Sequence, residues 1–247
     1  MRRARFWADG KLYEGVLEGE ELVTSHGQRF SVAEVRWDLP FAPGKVLGLA
    51  LNYRDHADEL GLSLPQEPAL FWKPNNALLP HKEPVVRPRG VSKLHGEVEL
   101  AVVIGKRAKK LHPEEAMEYV LGYTIANDLV AREYVTNTFR PPIRAKGHDT
   151  FGPLGPVLVT ADEIPDPHNL RLTAYVNDTL CQQGSTASMV LSIPEILAYI
   201  TSFMTLEPFD VILTGTPPGI GFVQGGDVMR LCIEGIGVLE NPVVEEA

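Results

Sequence analysis

The stretch LHGEVELAVVIG, Leu94 to Gly105, decides how the chain is read. Its second half, AVVI, is a short apolar and β-branched run, fit for a strand buried inside a core. Its first half carries Glu97 and Glu99, one residue apart. Side chains alternate across a strand with period two, so both carboxylates point to one face. Like charges side by side repel, and burying them unpaired is costly. Two readings relieve that cost: a strand end open to water, or a hard cation between the carboxylates, since Mg2+, Mn2+ and Ca2+ prefer oxygen ligands.

Further along, TIANDLVAREY places Asn127 and Asp128 at the end of another apolar run. A third carboxylate there completes a facial three-oxygen set of Glu97, Glu99 and Asp128, with positions left over for water and substrate. His95 lies on the face predicted for the two glutamates and is read either as a fourth ligand or as a neighbour of the site.

The bulk numbers bound the rest. The chain has 247 residues, of which 44% are hydrophobic and 22% charged, as expected for a globular protein with a sizeable core. A net charge of −9 argues against sequence-independent nucleic-acid binding, which needs a basic face, but leaves room for a small anionic substrate. With only two cysteines, Cys181 and Cys232, the chain is not expected to be a disulfide scaffold; both are expected to act as buried, small apolar residues in a reducing compartment. No apolar stretch approaches the ~20 residues of a membrane helix. The opening MRRARFWADG lacks the apolar core of a signal peptide, so the expectation is a cytoplasmic chain with no membrane partner.

Residues 1–43 read as a small N-terminal β domain. Hairpin turn signals stand at Asp9-Gly10, Glu18-Gly19 and His26-Gly27, and LPFAPGK (Leu39–Lys45) follows as a linker. Residues 44–247 form the main domain. There VLGLAL reads as a buried strand, and YRDHADELG as a helix stopped by Gly61. Strands are predicted at 98–104, at 156–160, and within LRLTAYVND and DVILTG. Helices are predicted at HPEEAMEYVLGY and SIPEILAYITSFM, each with an early proline. The regular βαβ alternation of a parallel sheet is missing, so the fold class is β-rich α+β, a mixed or antiparallel core with peripheral helices.

Three more constellations carry possible chemistry. On a helix, His56 and Glu59 stand at i and i+3 and share a face, and a carboxylate that fixes an imidazole tautomer builds a general acid/base. Asp55 and Asp58 compete with Glu59 as the partner. Lys73, Arg132, Arg144 and Lys146 stand in apolar or Pro/Gly-rich settings, with Arg140 nearby, and together suggest an anionic substrate. ILTGTPPGIG (Ile212–Gly221) runs a strand into a turn with hydroxyls and free N–H groups, able to hold a carboxylate but lacking a Walker ending.

Read together, LGLALNYRDHADELG, LFWKP, LHGEVELAVVIGK, GYTIANDLVARE, AKGHDTFGPLGP, QQGSTASM, FMTLEPFDVILTGTPPGIG and IEGIGVLENPV resemble the fumarylacetoacetate hydrolase family, in order, from about residue 44 to the end. The resemblance implies a mixed β-roll, usually a homodimer, with Mg2+ or Mn2+ (Ca2+ in vitro) held by Glu97, Glu99 and Asp128. It also implies a lid pair of His56 and Glu59, an active-site Lys146, and substrate contacts at Lys73, Arg132, Gln182 and Thr216. The substrates implied are small anionic 2-oxo or 2-hydroxy-enoic acids, which react through an enol or enolate. FRPPIRAKGHDTFGPLGP and IEGIGVLENPV resemble most the members that isomerise and decarboxylate dioates in homoprotocatechuate (4-hydroxyphenylacetate) breakdown. Hydrolysis of acylpyruvate C–C bonds, and decarboxylation or tautomerisation of oxaloacetate, are the other activities the family resemblance allows.

Overall fold

The structure is a computed structural model and describes residues 1–135 and 141–247. Arg140 and the Phe139 that opens FRPPIRAKGHD lie outside the described residues. A large sheet runs, neighbour to neighbour, through Arg29–Ser31, Glu21–Thr24, Lys11–Glu18, Arg2–Ala8, Gly152–Thr160, Val120–Asn127, Val98–Ile104, Val211–Leu213, Val46–Ala50 and Ala69–Trp72. All neighbours along it are antiparallel except Val211–Leu213 with Val46–Ala50. A second sheet orders Thr179–Ser185, Arg171–Val176, Val228–Ile233, Gly237–Glu245 and Val85–Arg87. The β-rich expectation holds.

The N-terminal strands are not set apart from the body. Arg2–Ala8 pairs with Gly152–Thr160, so residues 2–31 extend the large sheet by four strands. The turns fall where glycine permits a positive φ, at Asp9-Gly10, Gly19 and Gly27.

Val98–Ile104 occupies the centre of the large sheet and is buried along its whole length. Val98, Leu100, Val102 and Ile104 face the main core, which continues into the second sheet through Leu172, Leu231 and Leu239. Ala101 and Val103 face the other way, into a smaller cluster with Phe41, Val46, Ala126, Val211 and Leu213. Glu97 and Glu99 share parity with Ala101 and Val103, so the alternation read from the sequence puts both carboxylates at the end of that second face.

The helices are peripheral. Ile193–Phe203 begins with a capping box between Ser192 and Glu195 and packs over Pro113–Tyr119. The helix expected over HPEEAMEYVLGY is corrected: only Pro113–Tyr119 is helical, as a 3-10 segment, and Val120 opens the strand Val120–Asn127. Pairing against Val98–Ile104 outweighs local propensity there. Gly122 meets the Val159 carbonyl so closely that an added Cβ would lie 2.1 Å from its oxygen. Cys181 and Cys232 are unpaired and half-buried rather than buried. Among the described residues no helix is long and apolar enough to cross a membrane.

His81, just after the short strand Leu78–Leu79, fastens that segment to the strand Gly237–Glu245. Its Nδ1 accepts the Glu240 N–H at 3.0 Å, and its ring meets Trp37 edge-on at 5.3 Å. Burial, aided by the Lys82 charge, pushes the imidazole down to about 4. The unfolded chain therefore binds a proton near its ordinary 6.5 that the folded chain refuses. Stability should fall as pH drops from 6.5 toward 4, by on the order of 3 kcal/mol in all at about 1.4 kcal/mol per pH unit. His81→Gln should flatten the acid limb of a denaturation midpoint-against-pH curve; an unchanged limb would assign the slope to other groups.

Candidate metal centre

Glu97, Glu99 and Asp128 are buried, and each offers an oxygen within 4.8 Å of the others'. The strand ladder makes this convergence. Val98 pairs with Asn127, so Glu97 just before one strand and Asp128 just after its neighbour meet at the same end. The Asp128 N–H donates to the Glu97 carbonyl at 2.9 Å, and Asn127 Oδ1 accepts the Glu97 N–H at 3.1 Å. Glu99 Oε2 accepts the Gly215 N–H at 2.6 Å. Gly215 has φ +93°, and an added Cβ would stand 2.9 Å from that of Asn52, so this turn requires glycine.

Two lysines reach this cluster. The Lys146 ammonium lies 2.9 Å from Glu97 Oε2 and also contacts Asp128 Oδ2. Lys73 Nζ lies 2.5 Å from Asp128 Oδ1. Burial pushes the Glu99 carboxyl well above its usual range, and Asp128 adds to the rise. Burial acts on Glu97 in the same direction, but the Lys146 ammonium outweighs it and holds that carboxyl at about 2. Burial lowers the Lys73 ammonium's pKa, while the carboxylates overcome burial at Lys146 and raise it. The donor set is all oxygen, and with all three carboxylates ionised its negative charge exceeds the positive charge of the two lysines. Lys146 already bridges Glu97 and Asp128 as a cation would. These residues fit a hard divalent ion.

The remaining residues named from the sequence fall at two distances from the cluster. His56, buried on the short helix Arg54–Glu59, has Nδ1 3.0 Å from Glu59 Oε2 and lies near enough for its charge to act on Glu97. The Gly219 N–H lies 3.1 Å from both Glu59 oxygens. Glu59, rather than Asp55 or Asp58, is thus the partner of His56. His95 is fully buried, 4.0 Å from Glu97 Oε1, and stands outside the converging carboxylates as a neighbour. Burial lowers its pKa. Arg132 is half-buried near His95, whereas the Arg144 guanidinium lies 3.9 Å over the Tyr134 ring.

Gln182 and Thr216 grip the backbone between the two glutamates. Gln182 Oε1 accepts the Val98 N–H at 2.9 Å, and the Thr216 hydroxyl donates to the Val98 carbonyl at 2.9 Å. Gln182 Nε2 donates to Thr216 Oγ1 and the Pro217 carbonyl, at 2.9 and 2.8 Å. Sequence reasoning passed over Tyr53, beside His56 in the same NYRDH run. Its hydroxyl is buried without a hydrogen-bond partner among the described residues, and burial together with the Glu99 charge raises its pKa.

Comparison with known proteins returns the same neighbourhood. The family described as "Fumarylacetoacetate (FAA) hydrolase C-terminal" matches residues 45–244. A 4-hydroxyphenylacetate degradation bifunctional isomerase/decarboxylase of Salmonella dublin is 47% identical over 210 residues, 85% of this chain and 49% of that protein. The chain thus spans about half the length of such curated relatives. A 5-carboxymethyl-2-hydroxymuconate delta-isomerase structure from Mycobacterium smegmatis superposes with TM-score 0.90 at 37% identity, covering 100% of both chains. A maleylpyruvate hydrolase from Sphingobium sp. SYK-6, in complex with manganese(II) and pyruvate, does so with TM-score 0.86 at 32% identity, again over 100% of both chains.

Asp128→Ala should weaken Mn2+ binding by about 10–100-fold or more in the protein that folds, read by electron paramagnetic resonance of free Mn2+, and should lower stability because Lys73 loses its buried partner. Undiminished binding in the folded variant would remove Asp128 from the ligand set.

Proposed function

The chain belongs to the fumarylacetoacetate hydrolase family, and on that premise we propose that it is a divalent-metal-dependent isomerase/decarboxylase. Its substrates are small 2-oxo or 2-hydroxy-enoic dioates of aromatic (4-hydroxyphenylacetate/homoprotocatechuate) catabolism. The observation that carries the reading is the convergence of three buried carboxylates beside Lys146 and a His–Glu pair. The names of the relatives and structural neighbours point the same way.

Glu97, Glu99 and Asp128 would hold Mg2+ or Mn2+. When bound, the ion supplies a Lewis acid for the oxygens of the substrate's 2-oxo acid end. Around it the chain's own groups have separable tasks. Three carboxylates balanced by Lys73, Lys146 and a divalent ion leave the site with net positive charge, which favours a substrate bearing carboxylates. Lys146, which touches Glu97 and Asp128, stabilises negative charge developing on the substrate oxygen. Glu59 accepts the Nδ1 proton of His56 in a hydrogen bond and so leaves Nε2 as the atom free to take a proton.

In isomerisation His56 Nε2 removes a proton from one carbon and returns it to another. In decarboxylation the C–CO2 bond breaks, its electron pair passes through the conjugated chain to the 2-oxo oxygen, and His56, having taken a proton from solvent at Nε2, delivers it to carbon as the electron pair returns to form the C–H bond. Arg132, half-buried near His95, is the candidate partner of the far carboxylate. The likeness to a maleylpyruvate hydrolase supports a second reading, in which the same His–Glu pair activates water to cleave a C–C bond.

The Mg2+-supplied protein should turn over a homoprotocatechuate-pathway dioate faster than an acylpyruvate or oxaloacetate; exclusive turnover of the acylpyruvate would establish the hydrolase instead. His56→Ala should retain the metal and lose about 10²–10⁴-fold in turnover. Wild-type rates in that variant would exclude His56 from proton transfer.

A further inference from the structure

Lys73 stands where a substrate contact was expected, yet its side chain is 1% exposed. It follows the strand Ala69–Trp72, and its N–H donates to the Val46 carbonyl at 3.0 Å, which anchors it beside the large sheet. Its ammonium donates to the carbonyls of Lys146 at 2.7 Å and Phe151 at 2.9 Å, with that of Leu129 at 3.5 Å. The remaining direction is filled by Asp128 Oδ1 at 2.5 Å, a close ion pair outside hydrogen-bond alignment. With three backbone carbonyls and a carboxylate around it, this ammonium does not swing out to a ligand.

What it does is divide the two oxygens of Asp128. Oδ1 faces Lys73, while Oδ2 faces the cluster, where it contacts Lys146. Glu99 is divided in the same manner, because its Oε2 is held by the Gly215 N–H at 2.6 Å. A cation held by these carboxylates would then reach Asp128 through Oδ2, the oxygen that Lys146 now contacts. Mg2+ and Mn2+ are content with single-oxygen carboxylate ligands in an octahedron, whereas Ca2+ takes six to eight oxygens and readily uses both oxygens of a carboxylate.

We infer that Lys73 is a metal-specificity residue: by occupying Asp128 Oδ1 from the protein interior it limits Asp128 to one-oxygen ligation and disfavours Ca2+ relative to Mg2+. The inference rests on the metal site proposed above and adds the element that selects the ion. Lys73 acts through Asp128 and is a positioning residue, not a catalytic one. A purely structural role, filling space and neutralising Asp128, predicts instead that its loss changes the binding of all divalent ions alike.

The test uses the full chain, stripped of metal with a chelator and titrated with Mg2+ and with Ca2+ in a calorimeter. Lys73→Gln keeps a donor but loses the charge, and Lys73→Met removes both. In folded variants the Ca2+-to-Mg2+ affinity ratio should rise by about tenfold over wild type. An unchanged ratio, including an equal loss for both ions, would overturn the role of Lys73 and leave the metal site standing. A crystal structure of the wild type grown with Ca2+ gives an answer even if both variants fail to fold. Asp128 should contact the ion through Oδ2 alone with Lys73 on Oδ1, and ligation by both Asp128 oxygens would refute the inference. Wild-type protein that binds neither ion would overturn the metal site and this inference together.

Discussion

Three carboxylates brought together in the interior of a β protein are the constraint to which the surrounding structure answers. Separated from water, Glu97, Glu99 and Asp128 repel one another, and burial alone would drive protons onto them. The chain meets this with position rather than with apolar packing. Lys146 bridges Glu97 and Asp128, Lys73 backs Asp128 from behind, and the Gly215 amide holds Glu99. The two lysines fall one charge short of the three carboxylates. A divalent ion held there would turn that shortfall into a surplus.

The turn after Val211–Leu213 connects this cluster to the His56–Glu59 pair. The Thr214 carbonyl accepts from Asn52 Nδ2 at 2.8 Å, Gly215 N–H binds Glu99, and Thr216 holds the Val98 carbonyl. Pro217 accepts from Gln182, and Gly219 binds the Glu59 carboxylate that orients His56. Residues 214–219 therefore set the strand carrying Glu99 and the His–Glu pair relative to one another. A shift of this turn would disturb the carboxylates and the imidazole at once, although most of its contacts are made through backbone atoms.

Much of the site was readable from spacing alone. Glu97 and Glu99 share a face because a strand alternates with period two, and His56 meets Glu59 because a helix brings i and i+3 together. The turns at Asp9-Gly10 and Gly27 were legible because a positive φ selects glycine. Where local pattern and pairing disagreed, pairing decided: the residues after Tyr119 carry a helix-like sequence but continue as a strand against Val98–Ile104.

By itself the sequence determined a β-rich chain, the face carrying Glu97 and Glu99 and, through its resemblance, the family and its His56–Glu59 pair. Each of these depends on residues close in the chain or on an ordered set of motifs. Only the tertiary structure decided that Lys73 points inward, that Gln182 and Thr216 clasp the Val98 backbone, and that Gly215 and Gly219 serve two different carboxylates. Those outcomes depend on strands distant in sequence arriving side by side. A side chain's type shows what it can bind, but the direction in which its neighbours turn it shows what it does bind.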